Sequence, residues 1–267
     1  MILFTDLDGT LLNDNKELSL GNRQTIDRAL AAGHQIVIST GRPLCSAKLQ
    51  AEKLNLTQEG CFIISYNGGQ IYDSYHRKIL FSRTLPFDQV HHIFEEAHQR
   101  GLHVQTYDEN YVIAEEDRPE LHHYSELTKV PCLVVPDIMN YLQAEPCKII
   151  VINEDSKDIL TRYREEMKPW TDGKMDLFFS SNILLEHVPT GVSKGSAVRF
   201  LCEHLNVPLS ETVAAGDAEN DIPMIQAVSI GAVMCNGDAG TKAYADYITE
   251  NDNNHDGVAE IIEKFIL

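Results

Sequence analysis

Asp6 and Asp8 stand two positions apart in Asp6-Leu7-Asp8-Gly9-Thr10, one residue after the apolar run Ile2-Leu3-Phe4. Alternation along an extended segment turns both carboxylates to one side, and Gly9 lets the chain turn sharply behind them. Two carboxylates that close repel, so either one holds a proton or a cation lies between them. Three further segments carry related chemistry. Ser39-Thr40-Gly41-Arg42 offers a hydroxyl beside a flexible turn, Gly216-Asp217-Ala218-Glu219-Asn220-Asp221 adds carboxylates, and Lys194 adds a cation. An ordinary turn explains each segment singly, since Asp-Gly is a common turn dipeptide. It does not explain carboxylates, a hydroxyl and a lysine, the last in the first turn of an expected helix, converging on one edge.

The elements that must position these residues follow from periodicity. Apolar runs predict strands over residues 2–5, 36–39 and 62–65. Ser19 is the expected N-cap of a helix with Ile26, Ala29 and Leu30 on one face and Gly33 as its stop. Pro43 is expected to open the next helix at its first position. Asn67-Gly68-Gly69 is a turn signal after the third strand. Further on, a helix is expected over 193–205, with strands at 212–215, 229–233 and 247–248. Strand–helix order with all-apolar strands predicts a Rossmann-like α/β domain, a parallel sheet covered on both faces. Such sheets bind ligands at the carboxyl ends of their strands, where the strand order reverses, and the four segments lie at or beside such ends.

The middle of the chain reads differently. Helices are expected over 88–100 and 156–167, hairpin-like runs at 104–107 and 111–114, and an isolated strand at 148–152. A hairpin pairs 177–180 with 184–188, and Trp170 falls in a helix–strand connection. This pattern is α+β, inserted between two halves of the α/β domain. The expected division is a core of 1–83 and 190–267 and an insert of 84–189.

The chain has 267 residues, 43% hydrophobic and 23% charged, with a formal net charge of −18. That composition supports a buried core, and the negative charge disfavours nucleic acid and anionic membrane partners. The six cysteines show no paired spacing, so reduced thiols are the expectation. No stretch approaches a signal peptide core or a membrane span, which points to a cytoplasmic protein. Six of the eleven histidines fall between residues 91 and 123, without zinc-type spacing. His122-His123-Tyr124 could face a substrate. Cys45 has no partner placed to activate it, and residues 236–240 read as a loop and helix start. Oligomeric state is not legible.

In these residues the sequence resembles the haloacid dehalogenase superfamily, specifically its Cof-type phosphatases with a type IIB α/β cap. Asp6-Leu7-Asp8-Gly9-Thr10 matches the family's first motif, Thr40 the second, Lys194 the third, and Gly216-Asp217 with Asn220-Asp221 the fourth. Asn67-Gly68-Gly69 resembles the Asn-Gly-Ala turn of Cof-type members, with glycine in place of alanine. The resemblance implies a phosphatase acting on a small phosphorylated metabolite, a sugar phosphate or similar monoester, through an aspartyl-phosphate intermediate. Asp6 would be the nucleophile and Asp8 the general acid and base. Thr40 and Lys194 would hold phosphoryl oxygens, with Gly41, Arg42 and Asn220 as further substrate contacts. Mg²⁺ would be held by Asp6, Asp217 and the backbone carbonyl of Asp8, supported by Asp221. Residues 84–189 would form a cap that selects the substrate, hinged near 83–84 and 189–191. A phosphotransferase or phosphomutase would use the same residues, and a non-catalytic metabolite-binding module is the alternative outside enzymes. Dehalogenation fits the acidic residues poorly.

Overall fold

The computed structural model describes residues 1–267, which divide into two compact units. One comprises residues 1–41, 47–81 and 193–267, the other residues 42–46 and 82–192. In chain order the first unit opens with strand β1 (Ile2–Thr5), helix α1 (Leu20–Ala31), β2 (Gln35–Ser39), α2 (Leu44–Lys53) and β3 (Cys61–Ser65). A tight turn leads into β4 (Gln70–Asp73) and β5 (Lys78–Ser82). Ser19 caps α1 by accepting from the Asn22 N–H. Pro43 lies one residue before α2 rather than inside it. Its ring fixes the approach to the helix without supplying a helical residue.

The second unit holds α3 (Phe87–Gln99), β6 (His103–Tyr107), β7 (Val112–Ala114), α4 (Pro119–Thr128) and β8 (Cys132–Val134). It continues with α5 (Ile138–Tyr141), β9 (Ile149–Ile152), α6 (Lys157–Thr171), β10 (Met175–Ser181) and β11 (Leu184–Pro189). These strands form one sheet in the order β10-β11-β9-β6-β7-β8. The strand expected to stand isolated, β9, is central, paired antiparallel to both β6 and β11. Helix α6 runs past Pro169, so Trp170 lies in its last turn and not in a connection. The apolar core packs Val90, Ile93 and Phe94 of α3 and Leu160, Tyr163 and Met167 of α6 against Val104, Ile149, Val151 and Leu185. Each such side chain contributes about 1.5–3 kcal/mol on burial. Among the polar side chains buried in this unit, Lys148 Nζ pairs with Glu186 at 2.9 Å, and Ser180 donates to the same carboxylate.

The chain returns to the first unit with α7 (Lys194–Leu205), β12 (Thr212–Gly216), α8 (Ile222–Ile225), β13 (Ile230–Val233), α9 (Ala239–Lys242), β14 (Tyr247–Ile248) and α10 (Gly257–Phe265). Its sheet has the order β14-β13-β12-β1-β2-β3-β4-β5. All pairings from β14 to β3 are parallel, and β4 returns antiparallel. Strand β1 lies between β2 and β12, so the order reverses at β1 and opens a crevice at its carboxyl end. The central strands are buried at every position of β1, β3 and β12, as an all-apolar run covered on both faces requires. No helix is long and apolar enough to cross a membrane.

Candidate active site

Asp6 follows β1, anchored by its backbone N–H to the Ala215 carbonyl of β12 at 3.0 Å. Lys194 is the first residue of α7, behind an N-cap at Ser193 whose capping box with Ser196 fixes the helix start. The lysine is fully buried, and its Nζ lies 2.6 Å from Asp6 Oδ1 and 2.6 Å from Asp221 Oδ1. Asp221 is equally buried, and its other oxygen accepts from the N–H groups of Asp217 at 2.9 Å and Ala218 at 3.1 Å. A side chain at Gly216 would meet Asp221 Cβ at 2.5 Å, so glycine is needed where β12 ends. The carboxylate oxygens of Asp6, Asp217 and Asp221 come within 4.8 Å of one another. Asp6 thus meets two segments more than 180 residues away in sequence, those of Lys194 and of Asp217 with Asp221.

Gly9 has φ +80, and a Cβ there would lie 2.6 Å from Asp217 Oδ2. The close approach lets Thr10 donate to Asp217 Oδ1 at 2.6 Å, while Asn236 Nδ2 donates to the Gly9 carbonyl at 2.8 Å. Asp8 is more open than Asp6, and its carboxylate pairs with Lys16 Nζ at 2.8 Å. Thr40 is buried at the end of β2, its N–H bonded to the Ile64 carbonyl at 2.8 Å. Gly41 packs on the side chain of Asn67, whose Oδ1 accepts from Asn220 Nδ2 at 3.0 Å. Arg42 is buried and belongs with residues 42–46 to the second unit. The structure therefore gathers Asp6, Lys194, Asp217 and Asp221 tightly, with Asn220 joined to the turn beside Thr40 and Gly41. Lys16, Thr10 and Asn67 have contacts that no spacing announced. Each partner lies across a turn or on a distant strand end.

The electrostatics of the cluster are unbalanced. Burial raises the proton affinity of Asp6 above the ordinary carboxylate range, and Asp221 and Asp8 push the same way against the opposing charge of Lys194. Burial also raises Asp217, reinforced by Asp221 and Asp6. Burial opposes the charge on Lys194, but the two carboxylates beside it more than offset that and hold it protonated. One ammonium cannot neutralise three carboxylates crowded into one buried space. Oxygen donors, deep burial and surplus negative charge are the features of a site for a hard divalent cation, and these residues fit one.

The profile of the haloacid dehalogenase-like hydrolases matches residues 3–262. The chain is 30% identical over 266 residues to the 5-amino-6-(5-phospho-D-ribitylamino)uracil phosphatase YcsE of Bacillus subtilis, covering 100% of this chain and 96% of that protein. It is 29% identical over 258 residues to a phosphoglycolate phosphatase of Methanosarcina acetivorans, covering 97% and 93%. A crystal structure of a haloacid dehalogenase-like hydrolase from Bacteroides thetaiotaomicron superposes with a TM-score of 0.89 at 31% identity, over 98% of each chain. A subclass IIB sugar phosphatase shares the fold with a TM-score of 0.82 at 20% identity, over 99% and 98%. With a profile match running almost end to end and the same fold along the full length, the chain belongs to the haloacid dehalogenase-like hydrolases.

Proposed function

We propose that this hydrolase is a Mg²⁺-dependent phosphatase of small phosphorylated metabolites in the cytoplasm, sugar phosphates or similar monoesters. The observation that carries the reading is Lys194 Nζ held between Asp6 and Asp221, with Asp217 alongside, at the carboxyl ends of β1 and β12. Phosphatase activity in relatives that match over nearly their whole length supports it. Asp6 attacks phosphorus, forming an aspartyl-phosphate as the bond to the leaving oxygen breaks. Asp8 gives that oxygen its proton, then takes one from the water that attacks the aspartyl-phosphate and frees Asp6. The Thr40 hydroxyl, the Gly41 N–H and Lys194 hold phosphoryl oxygens, and Arg42 and Asn220 are further substrate contacts. Asp6, Asp217 and the Asp8 backbone carbonyl would hold Mg²⁺, with Asp221 in support. When bound, the ion offsets the charge of the phosphoryl oxygens facing Asp6. Residues 84–189 form the cap in this reading and choose the substrate.

The test is phosphate release from a panel of phosphorylated metabolites and an aryl phosphate, with Mg²⁺ or with EDTA. Release that needs Mg²⁺ is the expected result. A protein that binds Mg²⁺ yet releases phosphate from no monoester contradicts the reading and favours phosphoryl transfer to another acceptor.

A further inference from the structure

Asn67 is fully buried; its Oδ1 accepts from Asn220, while its Nδ2 has no hydrogen-bond partner. A buried amide N–H without an acceptor is costly, and few are left in folded proteins without a reason. The backbone there is costly too. Tyr66, Asn67 and Gly68 have φ values of 50, 56 and 104, three left-handed residues in a row. Such conformations persist where their surroundings over-determine them, and they cluster at functional sites. The surroundings are three segments of the active site. The Asn67 N–H donates to the Thr40 carbonyl at 3.1 Å, and a Cβ on Gly68 would strike the Ser193 carbonyl, next to Lys194, at 2.2 Å. Asn220, the third, holds the amide oxygen. The amide lies against Gly41, its Oδ1 3.0 Å and its Nδ2 3.1 Å from where a Cβ on that residue would stand.

We infer that Asn67 Nδ2 is a substrate-binding donor that hydrogen-bonds a phosphoryl oxygen held at the turn of Thr40 and Gly41. The inference rests on the phosphatase reading above. A donor with no acceptor calls for a ligand rich in acceptors, and a phosphoryl group carries several oxygens. A neutral amide can hold one of them without adding a further cation to a site where Lys194 already partly offsets Asp6. The pairing of Oδ1 with Asn220 leaves the nitrogen as the unpartnered donor of an amide packed on Gly41.

Two variants separate the donor from the pairing. Asn67→Asp keeps an oxygen for Asn220 and tolerates the left-handed backbone, and Asn67→Gly keeps that backbone without adding charge. KM for an aryl phosphate and the inhibition constant for inorganic phosphate are measured for each, with a urea midpoint as the folding control. Both constants are expected to rise about 10-fold or more in both variants, the loss of one hydrogen bond to a charged group. Wild-type constants in Asn67→Gly, or an effect on kcat alone, would overturn the inference. Failure of both variants to fold would make Asn67 a structural residue and overturn it too. Wild-type protein that neither hydrolyses the aryl phosphate nor binds phosphate would defeat the phosphatase reading itself, and no variant is needed to see that.

Discussion

At the scale of single residues, the acidic cluster around Lys194 is a problem in charge. Lys194, Asp6, Asp217 and Asp221 are all buried or nearly so, and burial raises Asp6 and Asp217 despite the lysine beside them. A divalent cation bound only by the folded protein would therefore raise its stability by mass action. The melting temperature should climb with Mg²⁺ concentration, and Asp217→Ala should flatten that dependence and lower activity together. An unchanged Mg²⁺ titration in that variant would remove Asp217 from the ligand set. The chemical types at Asp6, Asp8, Thr40 and Asp217 were legible in the sequence because spacing after apolar runs placed them at strand ends, and Lys194 because it falls in the first turn of the helix expected over 193–205. The contacts of Lys16, Thr10 and Asn67 were not. Thr10 meets Asp217 across 207 positions, and such pairings depend on tertiary approach rather than local pattern.

At the scale of elements, glycines decide how closely the site's segments meet. Gly68 combines a φ of +104 with a Cβ position 2.2 Å from the Ser193 carbonyl, and that atom is backbone at the N-cap of α7. Gly68→Ala should therefore shift the start of α7 and lower stability by about 2 kcal/mol or more. Urea unfolding checks it, and a midpoint equal to wild type would show that the turn relaxes freely. The sequence showed the strands of the parallel sheet clearly, because a strand buried on both faces is a continuous apolar run. It did not show β4, whose segment Gln70–Asp73 is mixed, nor β5, whose run Ile79-Leu80-Phe81 lies in a half-exposed edge strand between polar residues. Helix α6 outran its expected end although Pro169 lacks the N–H that would bond back one turn, with Trp170 beyond it packed against the core of the second unit. Strand β8 (Cys132–Val134) was not read either, its three residues half-buried or exposed and without a buried face.

At the scale of the whole molecule, the α/β unit with an inserted α+β unit was legible from the change in periodicity along the chain, and the family's full-length match agrees with it. What each unit buries was less visible. His187 of the second unit is fully buried; burial pushes its pKa down to about 3, against a weaker opposing pull from the Leu185 and Ile149 backbone. Its unfolded value is near 6.5, so between pH 6.5 and 3 the unfolded chain binds a proton that the folded chain refuses. Its contribution to stability is fully present above pH 6.5. It falls on acidification by up to about 1.4 kcal/mol per pH unit, until pH reaches about 3. His187→Leu should remove that part of the acid dependence. Urea midpoints from pH 7 to pH 4 that fall equally in both proteins would contradict it.

The central claim, that Asp6 is phosphorylated during turnover, is tested most directly by acid-quenching the enzyme during turnover of a substrate labelled in its phosphoryl group. The account predicts protein-bound label that survives acid, is released by alkali as an acyl phosphate must be, maps to Asp6 and is absent from Asp6→Asn. Steady turnover with no protein-bound label, or label retained in Asp6→Asn, would contradict it.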